Sequence, residues 1–159
     1  MSNRLRGVLA EYIVASALKL GEDVRTEWDA VDLRLPDGPA VEVKSAAYVQ
    51  SWSQQRLSRI GFDVAPARGW DATTDVVAAE PHRPSGVYVF CLLHHTDKKT
   101  VDPLNLDQWE FYVTPTAALD TALGSRTRIS LARLRMITPD AVAFGELAAR
   151  VAECARLPA

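Results

Sequence analysis

The chain has little cysteine, no long apolar run and no surplus of positive charge, and each shortage closes off a class of protein. Two cysteines in 159 residues cannot staple a small secreted scaffold. Cys91 falls inside an apolar run and Cys154 in a helical pattern, so both read as reduced core residues and not as a metal-binding pair. The longest apolar stretches, such as 87–93, fall far short of the roughly 18 residues that a membrane-spanning helix needs. The opening Met1-Ser2-Asn3-Arg4-Leu5-Arg6 runs straight into an amphipathic pattern containing Glu11, without the apolar centre of a secretory signal, so the expected location is cytoplasmic. A net charge of −2 argues against a protein that coats nucleic acid indiscriminately, because such domains carry a clear excess of Lys and Arg. A glycine-rich phosphate loop is missing too, which leaves nucleotide hydrolysis without support, and no repeat or low-complexity tract appears.

What is present fits one compact domain, expected to cover residues 1–159: 48% of the chain is apolar and 24% charged, enough to build a core and too apolar for disorder. The near-neutral total hides an asymmetry. Between residues 21 and 43 stand Glu22, Asp23, Glu27, Asp29, Asp32, Asp37 and Glu42 against Arg25 and Arg34. The sign then reverses, with Lys44, Arg56, Arg59 and Arg68 against Asp63, and later Arg126, Arg128, Arg133 and Arg135 with no acid among them. An acidic focus beside basic strips is what a metal-dependent enzyme acting on a polyanion requires; ordinary scatter of surface charge produces the same pattern.

Apolar residues at Leu5, Val8, Leu9, Tyr12, Ile13, Ala17 and Leu20 follow helical spacing, and Gly21 supplies a stop. A second stripe on that helix, Gly7, Glu11, Val14 and Leu18, is apolar except for the one carboxylate. Glu11 is therefore either held near something that needs negative charge or reaches solvent at an edge. Three strand-like segments follow, 23–28, 30–35 and 40–45. In the second, Val31, Leu33 and Leu35 alternate with Asp32 and Arg34; in the third, Val41 and Val43 alternate with Glu42 and Lys44. Pro36-Asp37-Gly38-Pro39 between them is a strong turn signal and predicts an antiparallel hairpin. A four-residue loop would set Asp32 across from Val43, so for Asp32 and Glu42 to converge the loop must be odd-numbered or one strand must bulge.

Farther on, 50–59 reads as a short helix or a partly helical loop, and 62–86 is too long for a plain connection, so it is a flap or hides structure of its own. Residues 87–93 read as a buried central strand with 110–114 as its neighbour, 94–109 as loop, 115–123 as a short helix ended by Gly124, and 128–131 as an edge strand. The last helix is expected to start at Thr138-Pro139, capped by the threonine, and to bury Phe144, Leu147, Ala148, Val151 and Ala155.

The ordered set of a helix bearing Glu11, a hairpin bearing Asp32, and a strand reading Glu42-Val43-Lys44 resembles the PD-(D/E)XK, or restriction-endonuclease-like, nuclease superfamily. The resemblance covers residues 5 to about 55, and it departs from the family name in having Val31 where the name has proline. It implies an α/β fold with a mixed four- or five-stranded sheet flanked by helices, and a Mg²⁺-dependent DNA phosphodiester hydrolase, with Mn²⁺ able to substitute. Asp32, Glu42 and the carbonyl of Val43 would be the metal ligands, Lys44 would orient the attacking water and stabilise developing charge, and Glu11 would support the metal or a water. The family's extra glutamine matches Gln50, with Gln54 and Gln55 as competitors. Two carboxylates and one carbonyl suit Mg²⁺, which prefers oxygen and keeps several waters; bound metal lowers the pKa of its water and neutralises charge on the phosphate. Two nearby carboxylates repel each other without a cation, so removing either is expected to leave metal-free stability unchanged or higher. DNA is the implied partner, together with a second copy or a partner subunit, and no membrane.

Other readings of the same residues stay open. Asp32, Glu42 and Lys44 also make sense as a salt-bridge ladder on a hairpin's polar face, worth little energetically. The fold could serve as a nucleic-acid-binding or interaction module without cleaving. His94 and His95 lack a third ligand at metal-site spacing, His82 lies in a proline-rich loop, and Ser51, Ser53 and Ser58 lack the His and Asp of a nucleophilic triad. Trp52 and Trp70, near basic residues, fit base stacking or simple burial.

Overall fold

The computed structural model describes residues 2–21, 31–67, 70–71, 76–77 and 80–157. In chain order the elements are α1 (Asn3–Ala17), β1 (Leu33–Arg34), β2 (Ala40–Ala47), β3 (Gly61–Asp63), β4 (Trp70–Asp71), β5 (Val76–Val77), β6 (Val87–Leu93), β7 (Trp109–Pro115), α2 (Thr116–Leu123), β8 (Arg128–Ser130), α3 (Leu131–Ile137) and α4 (Phe144–Ala155), with one 3₁₀ turn at Leu106–Gln108. Four strands form a mixed sheet in the order β1-β2-β6-β7; β2 and β6 run parallel and the other two pairs antiparallel. Among the described residues no helix is long and apolar enough to cross a membrane.

Strand periodicity divides the sheet into two faces. On one, Val41, Val43, Val89, Phe111 and Val113 meet Ala10, Ile13 and Val14 of α1 and Leu147 and Val151 of α4. On the other, Ala46, Tyr88, Phe90, Leu92 and Tyr112 pack beneath Phe62 and Val64, Leu119, Ile129 and Leu134, which come from the β3–β8 ribbon, α2 and α3. All seven residues of β6 are buried, as a central strand covered on both faces must be. Cys91 and Cys154 are free and buried, and burial raises both thiols above their ordinary pKa.

Several expectations need correction. Leu5, Val8 and Tyr12 of α1 are 57%, 53% and 69% exposed, while Arg6, Ala10, Ile13 and Val14 are buried. With apolar residues on both stripes, period alone does not fix the rotation of the helix, and the side bearing small Ala10 lies against the sheet. Residues 50–59 contain no helix among the described residues. The 62–86 stretch holds β3, β4, β5 and an Ala67–His82 bridge, and β8 pairs with β3 in a separate ribbon and does not edge the main sheet. Thr138-Pro139 ends a helix where the start of one was expected. Ser130 caps α3 through the Arg133 N–H, and Thr138, at φ −131° and ψ 87°, has left the helical region as a residue before proline tends to. The final helix starts at Phe144 and buries Leu147, Val151 and Cys154, with Ala148 exposed. The strand expected at 23–28, and Ala30, lie outside the described residues.

Candidate functional site

The β1–β2 hairpin turns through five residues, 35–39, and Leu33 pairs with Val41 and Arg34 with Ala40. Continued by one residue, this register would set Asp32 opposite Glu42, because the odd-numbered loop shifts the pairing away from Val43. The turn is braced from outside the hairpin. Gly86 donates its N–H to the carbonyl of Ala40 at 3.0 Å, and a Cβ on Gly86 would stand only 2.5 Å from Cβ of Pro39. Proline and glycine thus interlock at the start of both parallel strands, and the register of β2 against β6 is fixed beside the acids.

The regular ladder between β1 and β2 stops at Leu33, and a side chain takes over: Oδ2 of Asp32 accepts the main-chain N–H of Val43 at 2.8 Å. In a strand the N–H and C=O of one residue point to the same edge, so the Val43 carbonyl faces the edge where Asp32 stands. Glu42 bonds in two directions, with Oε1 2.5 Å from Nζ of Lys44 and Oε2 accepting from the hydroxyl of buried Ser85 at 3.3 Å. Its side chain is 15% exposed and that of Lys44 30%, so the pair opens to solvent through the lysine. Tyr88 sits beside Glu42 in the parallel register, and burial above all, then the charge of Glu42, pushes its hydroxyl above the ordinary tyrosine pKa; Arg83 opposes the shift, and Asp120 and Asp32 add to it. The phenol therefore stays protonated and available as a donor.

The five expected site residues divide into two groups. Glu42 and Lys44 share one face of β2, and the Asp32 carboxylate meets that strand at its edge, on the main-chain N–H of Val43 between them. Gln50 is buried elsewhere, with its amide donating to the Ala47 carbonyl at 2.8 Å and accepting from Nη1 of Arg6 at 3.3 Å. Gln54 organises its own loop, accepting from the Gln50 N–H and donating to the Ser58 hydroxyl, while Gln55 is exposed. Glu11 is half-buried on α1, and among the described residues no three Asp, Glu, His or Cys side chains gather closely enough to ligate one metal. His94 and His95 bond instead to the Asp107 carbonyl and the Thr100 hydroxyl.

Of the basic strips, Arg56 and Arg59 are exposed next to exposed Trp52, around an open cavity of about 610 Å³. The later strip is partly engaged: Arg135 lies over the Tyr112 ring and bonds its hydroxyl and Glu110, and Arg133 donates to the Ala122 carbonyl. Arg68, and the side chain of Trp70, are outside what is described. Sequence reasoning missed Arg6, Ser85 and Tyr88. Arg6 did carry a signal, for it shares helical spacing with Ala10, Ile13 and Ala17. No family model, curated protein or solved structure matches the chain.

Proposed function

We propose that this protein is a Mg²⁺-dependent DNA phosphodiester hydrolase with a restriction-endonuclease-like core. The observation that carries the reading is the Asp32 carboxylate bonded to the Val43 N–H, between Glu42 and Lys44, whose own side chains pair on one face of β2. The donor set suits a hard divalent cation: two carboxylates from adjacent strands and a carbonyl at the same edge, with solvent access left for waters and a phosphate oxygen. Asp32, Glu42 and the Val43 carbonyl would hold the ion, which when bound supplies a lowered water pKa and charge neutralisation at phosphorus. Lys44 already places an ammonium on Glu42, so the carboxylate is aimed and a cation tolerated at that spot. Its role is to orient the attacking water and hold developing negative charge on the phosphate. Ser85 fixes the other oxygen of Glu42, and Val43 fixes Asp32. Both acids are thus oriented by the chain itself.

A second reading, a nucleic-acid-binding or interaction module that does not cut, draws on the exposed Trp52, Arg56 and Arg59 and on the Lys44–Glu42 pair, which a structural ladder would also contain. Incubation of linear, circular, single-stranded and branched DNA with Mg²⁺ or Mn²⁺ separates the two. Cleavage lost in Asp32→Ala, Glu42→Ala and Lys44→Ala supports the hydrolase; cleavage that survives in all three, or DNA binding without any cleavage, refutes it.

A further inference from the structure

Two buried arginines are satisfied in different ways. Arg83, 6% exposed, pairs with the carboxylate of Asp120 and donates to the carbonyls of Val64, Gly124 and Arg126. Arg6, 7% exposed, has no carboxylate partner among the described residues. Its contacts are Asn3 Oδ1 at 2.9 Å, Gln50 Oε1 at 3.3 Å and, at 3.5 Å, the Ser45 carbonyl, and among the described residues its buried Nε has no hydrogen-bond partner. A guanidinium stays charged at any pH at which the fold survives, and enclosing a charge without a counter-charge is costly. Burial accordingly lowers the pKa of Arg6.

Arg6 also lines a cavity of about 190 Å³ at the far end of β2 and β6, together with Gln50, Ser51, Lys98 and the apolar Leu93 and Val101. No acid lines it. The two cations reach it from α1 and from the loop after β6, and both are held in place: Gln50 accepts from Arg6, and the Ser51 and Trp52 carbonyls accept from Nζ of Lys98 at 3.5 and 2.6 Å. At roughly 30 Å³ per water the space equals about six waters, room for a tetrahedral oxyanion with part of its hydration.

We propose that this cavity binds a phosphate group, which supplies the counter-charge that Arg6 lacks among the described residues. The site stands on the cavity and its two cations, lies on β2 beyond the acid pair, and does not require that DNA be cut.

The test is thermal unfolding and calorimetric titration of the full chain in chelator, so that metal-dependent cleavage plays no part. One arm uses sodium phosphate against sodium chloride at equal ionic strength. The other uses a short single-stranded DNA with and without a 5′-phosphate. Wild-type protein should be stabilised by phosphate beyond the chloride control, by the oligonucleotide, or by both, and the arm that responds identifies the source of the group. Lys98→Gln should weaken that binding about tenfold, the size of one lost charge-assisted contact. Arg6→Met should abolish it; in the phosphate-free protein the relief of an uncompensated charge is offset by the loss of the bond to the buried Gln50 oxygen, so the unfolding temperature should stay near that of wild type. Should Arg6→Met fail to fold, Lys98→Gln decides. Stabilisation no greater than the salt control in either arm, or variants that respond as wild type does, overturns the proposal.

Discussion

The carboxylate of Asp32 accepts a hydrogen bond from the main-chain N–H of Val43 at 2.8 Å, so a side chain stands in where the ladder of β1 would have continued. This changes the expectation for its removal. Repulsion between Asp32 and Glu42 is relieved in Asp32→Ala, but a part-buried N–H loses a charged acceptor, a loss worth about 1.5–3 kcal/mol. Asp32→Ala should be destabilised by about 1–2 kcal/mol without metal, whereas Asp32→Asn, which keeps an acceptor oxygen, should lose less than half of that. Denaturant unfolding in chelator measures both; equal stability of Asp32→Ala and wild type would show that the bond contributes nothing.

Glu42→Ala is the complementary case. It gives up an ion pair with Lys44 that is open to solvent and worth under about 1 kcal/mol, together with a long, 3.3 Å hydrogen bond from the Ser85 hydroxyl, and leaves no main-chain donor stranded. Its metal-free stability should stay within about 1 kcal/mol of wild type. The stabilisation by Mg²⁺ should vanish, against a wild-type gain of about 2.7 kcal/mol at one hundred times the Kd. Thermal unfolding with and without Mg²⁺ reads the difference.

Lys44 holds the oxygen of Glu42 that a cation would claim. Lys44→Ala should therefore bind Mg²⁺ as well as wild type or better, while cleavage falls by about a hundredfold or more. Parallel loss of metal binding and cleavage would assign the lysine a role in building the site instead of acting in it.

Gly86 makes the closest approach around the hairpin, and the ring of Pro39 cannot swing aside as a flexible side chain would. Gly86→Ala should cost about 1–3 kcal/mol through overpacking, and should weaken Mg²⁺ binding as well because Ala40 and Glu42 lie on the strand it displaces. Unchanged stability in Gly86→Ala would mean that the turn has slack.

If Trp52, Arg56 and Arg59 contact DNA, the logarithm of affinity should fall with the logarithm of salt concentration by about 0.9 per neutralised phosphate on a duplex. Each arginine replaced by alanine should lower that slope by about one contact. Trp52→Ala should weaken single-strand binding by about tenfold, in line with one lost stacked base. Salt-independent binding counts against this surface.

Much of the sheet was legible because its signals are short-range and redundant. Alternation at Val41 to Lys44, the unbroken apolar run of β6 and the turn before Ala40 each point to one arrangement. The choice between Val43 and Glu42 as the partner of Asp32 reduced to the parity of a loop, which the structure resolves as odd. Misreadings arose where one local pattern serves two global ends. Thr-Pro both opens and closes helices, and only the tertiary placement of Leu131 and Leu134 selects closure. The two apolar stripes of α1 left its rotation open, and with it the burial of Arg6. Gln50 stands nearest the end of β2 along the chain, whereas its amide oxygen is taken by Arg6, which meets it only through folding. Ser85 and Tyr88 reach Glu42 across a crossover that has no sequence signature.

That crossover sets the order in which the molecule can assemble. Since β2 and β6 run parallel, everything between Ala47 and Val87 must find its path before these two strands can pair with each other, and parallel pairing with distant sequence neighbours is intrinsically slow. The hairpin carrying Asp32 and Glu42 can close early, as a local event, but the Ser85 hydroxyl and Tyr88 arrive beside Glu42 only when the long connection has docked. A nascent chain would therefore display its paired acids well before it owns a finished site, and the last stage of folding is also the stage at which the acid edge acquires its surroundings.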